Sequence, residues 1–209
     1  MPRTRIKICG IRSDDDAFAA AEAGADAVGF MFVRASQRYI DPEAAAEIVA
    51  SLPPFVSSVG VFMNAPIEAF MDIEEQCPTI HTQLHGTEDD ELISQCSPVI
   101  KAVRYLPETI VHDIARCEDN DDIEAILIDG PSPGEGVAFN WTDLVPLLER
   151  VSKPVILAGG LTPDNVAEAI RTVRPYGVDV SSGVEKQRGI KDPELIEKFC
   201  EAVRRADAS

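Results

Sequence analysis

The sequence predicts an α/β protein, a single-domain (β/α)₈ barrel of the TIM type that spans residues 1–209. Short apolar runs rich in β-branched residues alternate with longer amphipathic stretches, which is typical of parallel strands joined by right-handed helical crossovers. Eight such units of about 26 residues each are present, and eight strands close into a barrel, whereas an open sheet usually has about five or six. No linker or low-complexity segment interrupts the pattern, which indicates one domain.

Eight strand candidates follow one another along the chain. Most are short runs rich in Val, Ile and other apolar residues and are bounded by turn-forming or polar residues. In order, they are Thr4–Cys9, Ala27–Phe32, Val56–Phe62, Thr79–Leu84, Val99–Arg104, Ala125–Asp129, Pro154–Ala158 and Val178–Ser182.

Eight helix candidates lie after these strands, and several begin with a recognisable cap. Asp41, Thr162 and Asp192 each place a side-chain oxygen before a proline in the first helical turn, and Ser13 precedes a run of aspartates. In order, the helix candidates are Asp14–Ala23, Pro42–Ser51, Pro66–Glu75, Glu88–Gln95, Pro107–Cys117, Asp143–Arg150, Pro163–Val173 and Pro193–Ala206.

The charge of the chain excludes several classes of partner. With 19 Lys+Arg against 36 Asp+Glu, the net charge of −17 repels nucleic acid, and no basic stripe offsets it. The longest apolar run, Ala27–Val33, is far shorter than the roughly 18 residues of a membrane span. The charged segment 12–16 follows the basic start at once, so there is no signal-peptide core. We therefore expect a cytoplasmic protein without nucleic-acid or membrane partners.

The same composition suggests a salt-rich environment. Carboxylates are in excess and only six of the 19 basic residues are lysine, as in proteins of halophilic organisms, where salt screens the repulsion between like charges. The alternative is an ordinary acidic cytosolic protein. The sequence does not distinguish a monomer from a homodimer.

The cysteines and histidines do not predict a metal site. Five cysteines, at positions 9, 77, 96, 117 and 200, show no Cys-x-x-Cys spacing and suit a reducing compartment. His81 and His85 would share a face of a helix, but they lie in or beside a predicted strand, which separates them by about 13 Å. The two histidines therefore cannot share one ion, and we expect no zinc site.

Two glycine-containing loops predict a phosphate site. Gly159 and Gly160 follow the seventh strand, and Ser182 and Gly183 follow the eighth. Glycines let backbone N–H groups approach an oxyanion closely, and the loops after strands seven and eight are a recurrent phosphate site of this barrel. The alternative is that Gly159 and Gly160 only form a tight turn.

Cys9 is a candidate base or nucleophile at the carboxyl end of the first strand. Strand alternation places Lys7 on the same face, where its charge could lower the pKa of the thiol. The alternative is that Cys9 is a small buried apolar residue, which is the commoner role of a free cysteine.

Four other polar residues end strands or lie in loops of the same rim. Asp129 closes the apolar sixth strand, where partial desolvation favours the protonated form of a general acid; a cap or structural acceptor is an equal alternative. Gln83 ends the fourth strand and could bind a hydroxyl or amide, whereas His85 suggests only a loop residue. Arg38 could bind a carboxylate through its guanidinium or remain a solvated loop charge.

Eight short motifs occur in order from residue 7 to about 192. They are Lys-Ile-Cys-Gly-Ile at 7–11, Ser-Gln-Arg-Tyr-Ile at 36–40, Val-Gly-Val-Phe at 59–62, Gln-Leu-His-Gly at 83–86, Ile-Leu-Ile-Asp at 126–129, Phe-Asn-Trp at 139–141, Leu-Ala-Gly-Gly-Leu at 157–161 and Val-Asp-Val-Ser-Ser-Gly-Val-Glu at 178–185. Together they resemble the phosphoribosylanthranilate isomerases of tryptophan biosynthesis. Single motifs are shared with other phosphate-binding barrels, but the cysteine motif together with the sixth-strand aspartate is much more specific.

The resemblance implies an Amadori rearrangement of N-(5′-phosphoribosyl)anthranilate without metal or coenzyme. Cys9 aligns with the general base of the family and Asp129 with its general acid. Arg38 would bind the anthranilate carboxylate, and the loops that contain Gly160, Ser182 and Gly183 would bind the phosphate.

The sequence departs from the family in two places. Arg12 stands where a threonine is usual, and the segment 134–141 lacks the usual threonine and has fewer glycines. Two other functions remain: a related sugar-phosphate isomerase of the ProFAR type, which uses two aspartates where this chain has Cys9 and Asp129, and a non-catalytic phosphate-binding barrel.

Overall fold

A computed structural model describes residues 3–131 and 139–208, and its strands form a closed barrel in chain order. All neighbouring strands are parallel, and the eighth strand pairs with the first to close the ring. This confirms the predicted (β/α)₈ architecture. The strands are β1 (Arg5–Cys9), β2 (Ala27–Met31), β3 (Ser57–Phe62), β4 (His81–Leu84), β5 (Val99–Arg104), β6 (Ile123–Asp129), β7 (Val155–Leu157) and β8 (Gly177–Val180).

Helices surround this barrel. The side chains of Ser13, Asp41 and Asp192 accept hydrogen bonds from backbone N–H groups of the first turn, so these three predicted caps are confirmed. The helices are α1 (Asp14–Glu22), α2 (Pro42–Ser51), α3 (Ile67–Gln76), α4 (Asp90–Cys96), α5 (Ile110–Asp119), α6 (Val145–Leu148), α7 (Val166–Val173) and α8 (Pro193–Asp207).

Several predicted helix starts are wrong. Thr162 does not cap α7; its own N–H donates to Asn165, and the helix begins at Val166. Glu88 precedes α4, because Asp89 provides the cap and the Glu88 carboxylate is engaged elsewhere. The sixth helix is reduced to one four-residue turn preceded by a 3₁₀ turn at Trp141–Asp143.

A small antiparallel hairpin after the barrel was not predicted. Its strands, β9 (Glu185–Gln187) and β10 (Ile190–Lys191), follow a 3₁₀ turn at Ser182–Val184. With three and two residues, these strands are too short to produce a recognisable hydrophobic period. The hairpin brings charged side chains to the carboxyl-terminal end of the barrel.

Apolar side chains fill two regions. A small cluster occupies the barrel interior, and the larger cluster lies between the strands and the helices. Parallel strands buried on both faces leave the loops at their carboxyl ends as the place for polar chemistry. Residues 134–138 of the atypical segment lie outside the described part of the chain. Within residues 3–131 and 139–208, no helix has both the length and the apolar character needed to cross a membrane.

Candidate active site

The carboxyl ends of the strands surround a cavity of about 300 Å³. Seven of the eight site residues proposed from the sequence line it, namely Cys9, Arg38, Gln83, Asp129, Gly159, Gly160 and Ser182. Gly183 is not among the lining residues. The cavity is also lined by residues that sequence reasoning did not select, including Met31, Met63, His85, Asp179, Ser181 and Arg188.

Cys9 ends β1 and is buried at the wall of this cavity. Lys7 lies two residues earlier on the same face, and its Nζ is 2.9 Å from Oδ1 of Asp179 on β8. The Cys9 sulfur and the Lys7 nitrogen both pack against Gly29, respectively 2.9 and 3.2 Å from the point where a Cβ would lie. The thiol therefore has a buried ammonium–carboxylate pair beside it.

Lys7 does lower the pKa of the thiol, as expected, but its effect is smaller than that of burial. Burial raises the pKa of Cys9 and outweighs the opposing effect of the Lys7 ammonium, so the net pKa lies above its ordinary value. Burial lowers the pKa of Lys7, but Asp179 more than compensates, and the net pKa of Lys7 is raised. Lys7 is thus held as a cation.

Asp129 ends β6, and its two carboxylate oxygens have different partners. Oδ1 accepts the N–H of Gly130 at 2.7 Å, whereas Oδ2 lies 3.1 Å from Nε2 of His85. The other ring nitrogen of His85 is 3.1 Å from Nε2 of Gln83. Gln83, His85 and Asp129 therefore form one chain of contacts along the cavity wall.

Sequence reasoning treated His85 as a loop residue and did not select it for the site. It does lie in the loop after β4, but its side chain contacts Asp129 and lines the cavity. The sequence did contain a signal that the His85 side chain faces the cavity. Gln83 faces the barrel interior, and a residue two positions further has the same orientation if the extended backbone continues past Leu84. His81, by contrast, contacts Glu124 and does not line the cavity.

Arg38 extends from the loop after β2 and is buried, which excludes the alternative of a solvated loop charge. Its Nε and one Nη donate to the two carboxylate oxygens of Glu185 at 2.7 and 2.9 Å. Lys191 lies 3.0 Å from the same carboxylate. Neither Glu185 nor Lys191 was selected from the sequence.

Two of the glycines in the predicted phosphate loops are required by packing. Gly159 has φ +83°, and a Cβ there would lie 2.2 Å from the backbone nitrogen of Gly130. A Cβ at Gly183 would lie 1.9 Å from the carbonyl oxygen of Leu161. The close approach of the β7 and β8 loops thus depends on glycine whether or not an anion binds.

The family model described as N-(5′phosphoribosyl)anthranilate (PRA) isomerase matches residues 6–202. The chain belongs to this family. A Pseudomonas fluorescens protein named N-(5′-phosphoribosyl)anthranilate isomerase is 47% identical over 217 residues, covering 100% of both chains. A Hahella chejuensis protein of the same name is 46% identical over 208 residues, covering 97% of this chain and 95% of its own.

Solved structures of phosphoribosylanthranilate isomerases have the same fold. The Thermotoga maritima structure is 40% identical with a TM-score of 0.88, covering 97% of this chain and 99% of its own. A structure with the same identity and coverage contains reduced 1-(o-carboxyphenylamino)-1-deoxyribulose 5-phosphate and has a TM-score of 0.86. A third, described as monomers generated from the dimeric Thermotoga maritima enzyme, is 39% identical with a TM-score of 0.83 and the same coverage. Family membership confirms the resemblance of the eight motifs and the expectation of an isomerase.

Proposed function

We propose that the chain catalyses the rearrangement of N-(5′-phosphoribosyl)anthranilate to 1-(2-carboxyphenylamino)-1-deoxyribulose 5-phosphate in tryptophan biosynthesis. The observation that carries the proposal is that a thiol and a carboxyl group, those of Cys9 and Asp129, line the same cavity at the barrel mouth. The complex of a family member with the reduced aminodeoxyribulose phosphate supports the same substrate class. The scheme requires only proton transfers and the ring opening that accompanies the first of them, so it calls for no coenzyme or metal.

Asp129 acts first, as the general acid. Its carboxyl group gives a proton to the furanose ring oxygen while the bond from C1′ to that oxygen breaks. The lone pair of the anthranilate nitrogen then forms the C=N bond of a protonated Schiff base. His85 contacts the carboxyl oxygen Oδ2 and is placed to pass a proton to it.

Cys9 acts second, as the general base. Its thiolate removes the proton from C2′, and the electrons of that C–H bond form a C1′=C2′ bond while the C=N electrons return to nitrogen. The resulting enolamine tautomerises when the 2′-hydroxyl loses its proton and C1′ gains one, which leaves a ketone at C2′. The thiol ends protonated and Asp129 ionised, so a proton must pass from one to the other through solvent before the next turnover.

Arg38 and Gln83 would bind the substrate on either side of the reacting carbons. Arg38 supplies a cation for the anthranilate carboxylate. The Oε1 atom of Gln83 is buried and has no hydrogen-bond partner among the described residues. A buried acceptor without a partner is costly, and a sugar hydroxyl that donates to it would remove that cost.

The phosphate would bind between the loops after β7 and β8. Gly159 and Gly160 stand in the first loop, and Ser182 and Gly183 stand in the second. Gly160 and Ser182 line the cavity, and Gly183 permits the two loops to touch. Arg188 of the β9–β10 hairpin also lines the cavity and adds a cation that an anionic substrate needs on a chain of net charge −17.

Substitution of the two proton-transfer groups tests the proposal. Cys9→Ser and Asp129→Asn should each lower kcat by at least about 10²-fold, because each removes a group that transfers a proton. The assay is the loss of fluorescence of freshly prepared phosphoribosylanthranilate. Cys77→Ser, which alters a buried cysteine away from the cavity, should retain activity. Near-normal turnover of either site variant, with intact circular dichroism, would remove that residue from the scheme.

We also propose that the chain forms a homodimer through the amino-terminal end of its barrel. Phe55 is 97% exposed, and Ile80 and Tyr176 are also exposed; all three precede strands at the end opposite the cavity. Apolar side chains grouped in this way are typical of interfaces. The solved family member described as dimeric supports a second copy as the occupant. Phe55→Asp should give a monomer in sedimentation equilibrium that keeps its turnover, whereas a monomeric wild-type chain would contradict the interface.

Composition and structure together support three further parts of the proposal, which concern the compartment, the salt content of the cell and the number of domains. We place the protein in the cytoplasm of a salt-rich cell, because the five cysteines are free and buried and the net charge is −17. Residues 1–209 would form one domain, since the first and last barrel strands pair with each other.

A further inference from the structure

Three charged side chains form a buried cluster between the loop after β2 and the β9–β10 hairpin. The side chains of Arg38, Glu185 and Lys191 are 7%, 4% and 0% exposed. Glu185 accepts two hydrogen bonds from the Arg38 guanidinium and a third from Lys191 at 3.0 Å. Lys191 also donates to the backbone oxygen of Ser181 at 2.9 Å.

Buried ion pairs are weak contributors to stability, because the cost of removing the charges from water offsets much of their attraction. Burial raises the pKa of Glu185, but Arg38 and Lys191 outweigh it, so the net pKa is below its ordinary value and the carboxylate is ionised. A cluster of this kind at a cavity wall calls for a reason other than stability. Orientation of a flexible cation is such a reason, because an unbound arginine side chain has many rotamers to lose on binding.

We propose that Glu185 is a positioning residue, which fixes the Arg38 guanidinium in the orientation that receives the carboxylate of the substrate. The inference deepens the proposed function and rests on it. The two parallel hydrogen bonds fix both the plane and the direction of the guanidinium, which a single contact would not do.

Lys191 explains how the orientation is compatible with anion binding. An isolated Arg38–Glu185 pair would be neutral and would attract a carboxylate weakly. With Lys191 ionised, two positive charges and one negative charge leave the cluster with one net positive charge. Glu185 can therefore hold Arg38 in place while the cluster still attracts the carboxylate of the substrate.

Two simpler roles make different predictions from this one. If Glu185 acted only through its charge, its neutralisation would strengthen the binding of an anionic ligand, because like charges repel. If the cluster only anchored the hairpin, its loss would weaken the binding of all ligands alike. A positioning role predicts weaker binding, and only of ligands that carry the carboxylate.

The experiment measures the Kd of two probes by calorimetry. One is reduced 1-(o-carboxyphenylamino)-1-deoxyribulose 5-phosphate, and the other is the same compound without the carboxyl group. Glu185→Gln should raise the Kd of the carboxylated probe by at least about tenfold, because an oriented charge-assisted contact is lost. The Kd of the carboxyl-free probe should change by less than about twofold. Glu194→Gln alters an exposed glutamate of α8 and should change neither.

Further variants separate geometry from charge and guard against misfolding. Glu185→Asp keeps the charge but draws the carboxylate back by about 1.5 Å. It should therefore raise the Kd of the carboxylated probe, as Glu185→Gln does. If Glu185 acts through Arg38, adding Glu185→Gln to Arg38→Met should have no further effect on that probe. Thermal unfolding of each variant establishes that the folded protein is being measured.

The outcomes are distinct. Unchanged or tighter binding of the carboxylated probe by both Glu185 variants would overturn the inference, as would an equal loss of affinity for both probes. If the wild-type chain binds both probes equally, the carboxylate role proposed for Arg38 is wrong and the inference falls with it. If it binds neither, the proposed function itself is wrong.

Discussion

A cysteine acts as a base only as its thiolate, and the surroundings of Cys9 both oppose and favour that form. Burial raises the pKa of the thiol most strongly, the Lys7 ammonium lowers it, Asp179 raises it and Lys191 lowers it. Because burial dominates, we expect kcat/KM to increase as the pH rises toward the thiol pKa. The cations beside Cys9 then keep the thiolate accessible at a lower pH than burial alone would allow.

Replacement of Lys7 by methionine tests this balance. Loss of the ammonium removes an effect that lowers the pKa of Cys9 and leaves the Asp179 carboxylate without its cation, and both changes raise the pKa of the thiol. The rising limb of the kcat/KM–pH profile should therefore move to higher pH, with lower activity below it. Lys198→Met, at an exposed position on α8, should leave the limb in place. A Lys7→Met profile that coincides with the wild-type profile would separate Lys7 from the thiol.

Some of these side chains could be found from the sequence and others could not. Cys9 ends a strand of alternating charged and apolar residues and Asp129 ends an apolar strand, so strand order alone brings them to one rim. Glu185 pairs with Arg38 across 147 residues, through a hairpin whose strands are too short to give a periodic signal. That pairing depends on tertiary packing, which no local pattern encodes.

The loop between β4 and α4 shows why helix starts are harder to predict than strands. Glu88 and Asp89 are both acceptable first-turn residues, but only Asp89 caps the helix. The Glu88 carboxylate instead accepts N–H groups from Asn64 and Gly86 and lies 3.0 Å from Lys101. The buried pair joins the loops after β3 and β4, and the second of these loops carries His85 to Asp129.

Loss of the Glu88 charge should destabilise this part of the rim. Glu88→Gln leaves the Lys101 ammonium buried without a countercharge, so the free energy of unfolding at pH 7 should fall by about 3–5 kcal/mol. Glu91→Gln, at an exposed position three residues away, should change it by less than about 0.5 kcal/mol. Urea unfolding measures both, and equal stability of the two variants would contradict the role of the pair.

The same pair gives stability a pH dependence. Burial raises the pKa of Glu88, but Lys101 and the N–H donors outweigh it, so the folded-state pKa lies below the ordinary 4.5. A carboxyl group with a depressed pKa contributes stability that is complete above its unfolded-state value and is lost as the pH falls through its folded-state value. The wild-type chain should therefore lose more stability below about pH 4.5 than Glu88→Gln does.

The molecule as a whole carries far more negative than positive charge, and its cavity is an exception. Lys7, Arg38, Arg188 and Lys191 lie at or beside the cavity, so the anionic substrate meets cations locally. Over the remaining surface, the carboxylates repel one another and oppose compaction. The number of predicted strands was enough to predict the barrel. The effect of carboxylate repulsion on the free energy of unfolding depends on the salt concentration, which the sequence does not specify.

A salt titration measures how much repulsion between surface carboxylates destabilises the fold. At about 1 M NaCl the screening length falls to about 3 Å, so repulsion between surface carboxylates is largely removed. The unfolding temperature should rise by several degrees between 0.05 and 2 M NaCl, as expected for about 2 kcal/mol in a chain of this size. Sucrose at equal osmolality controls for general exclusion effects. A chain equally stable in dilute buffer would be an ordinary acidic protein.

The ion pair between Lys7 and Asp179 joins the first barrel strand to the last, across 172 residues. During translation, Cys9 is synthesised near the start, and Asp179 follows on the order of ten seconds or more later. In that interval the Lys7 ammonium, which lowers the pKa of the Cys9 thiol, has no Asp179 carboxylate to pair with. In a nascent or truncated chain, the pKa of Cys9 is therefore not set by the Lys7–Asp179 pair. We expect catalytic activity only after β8 has paired with β1 and closed the barrel.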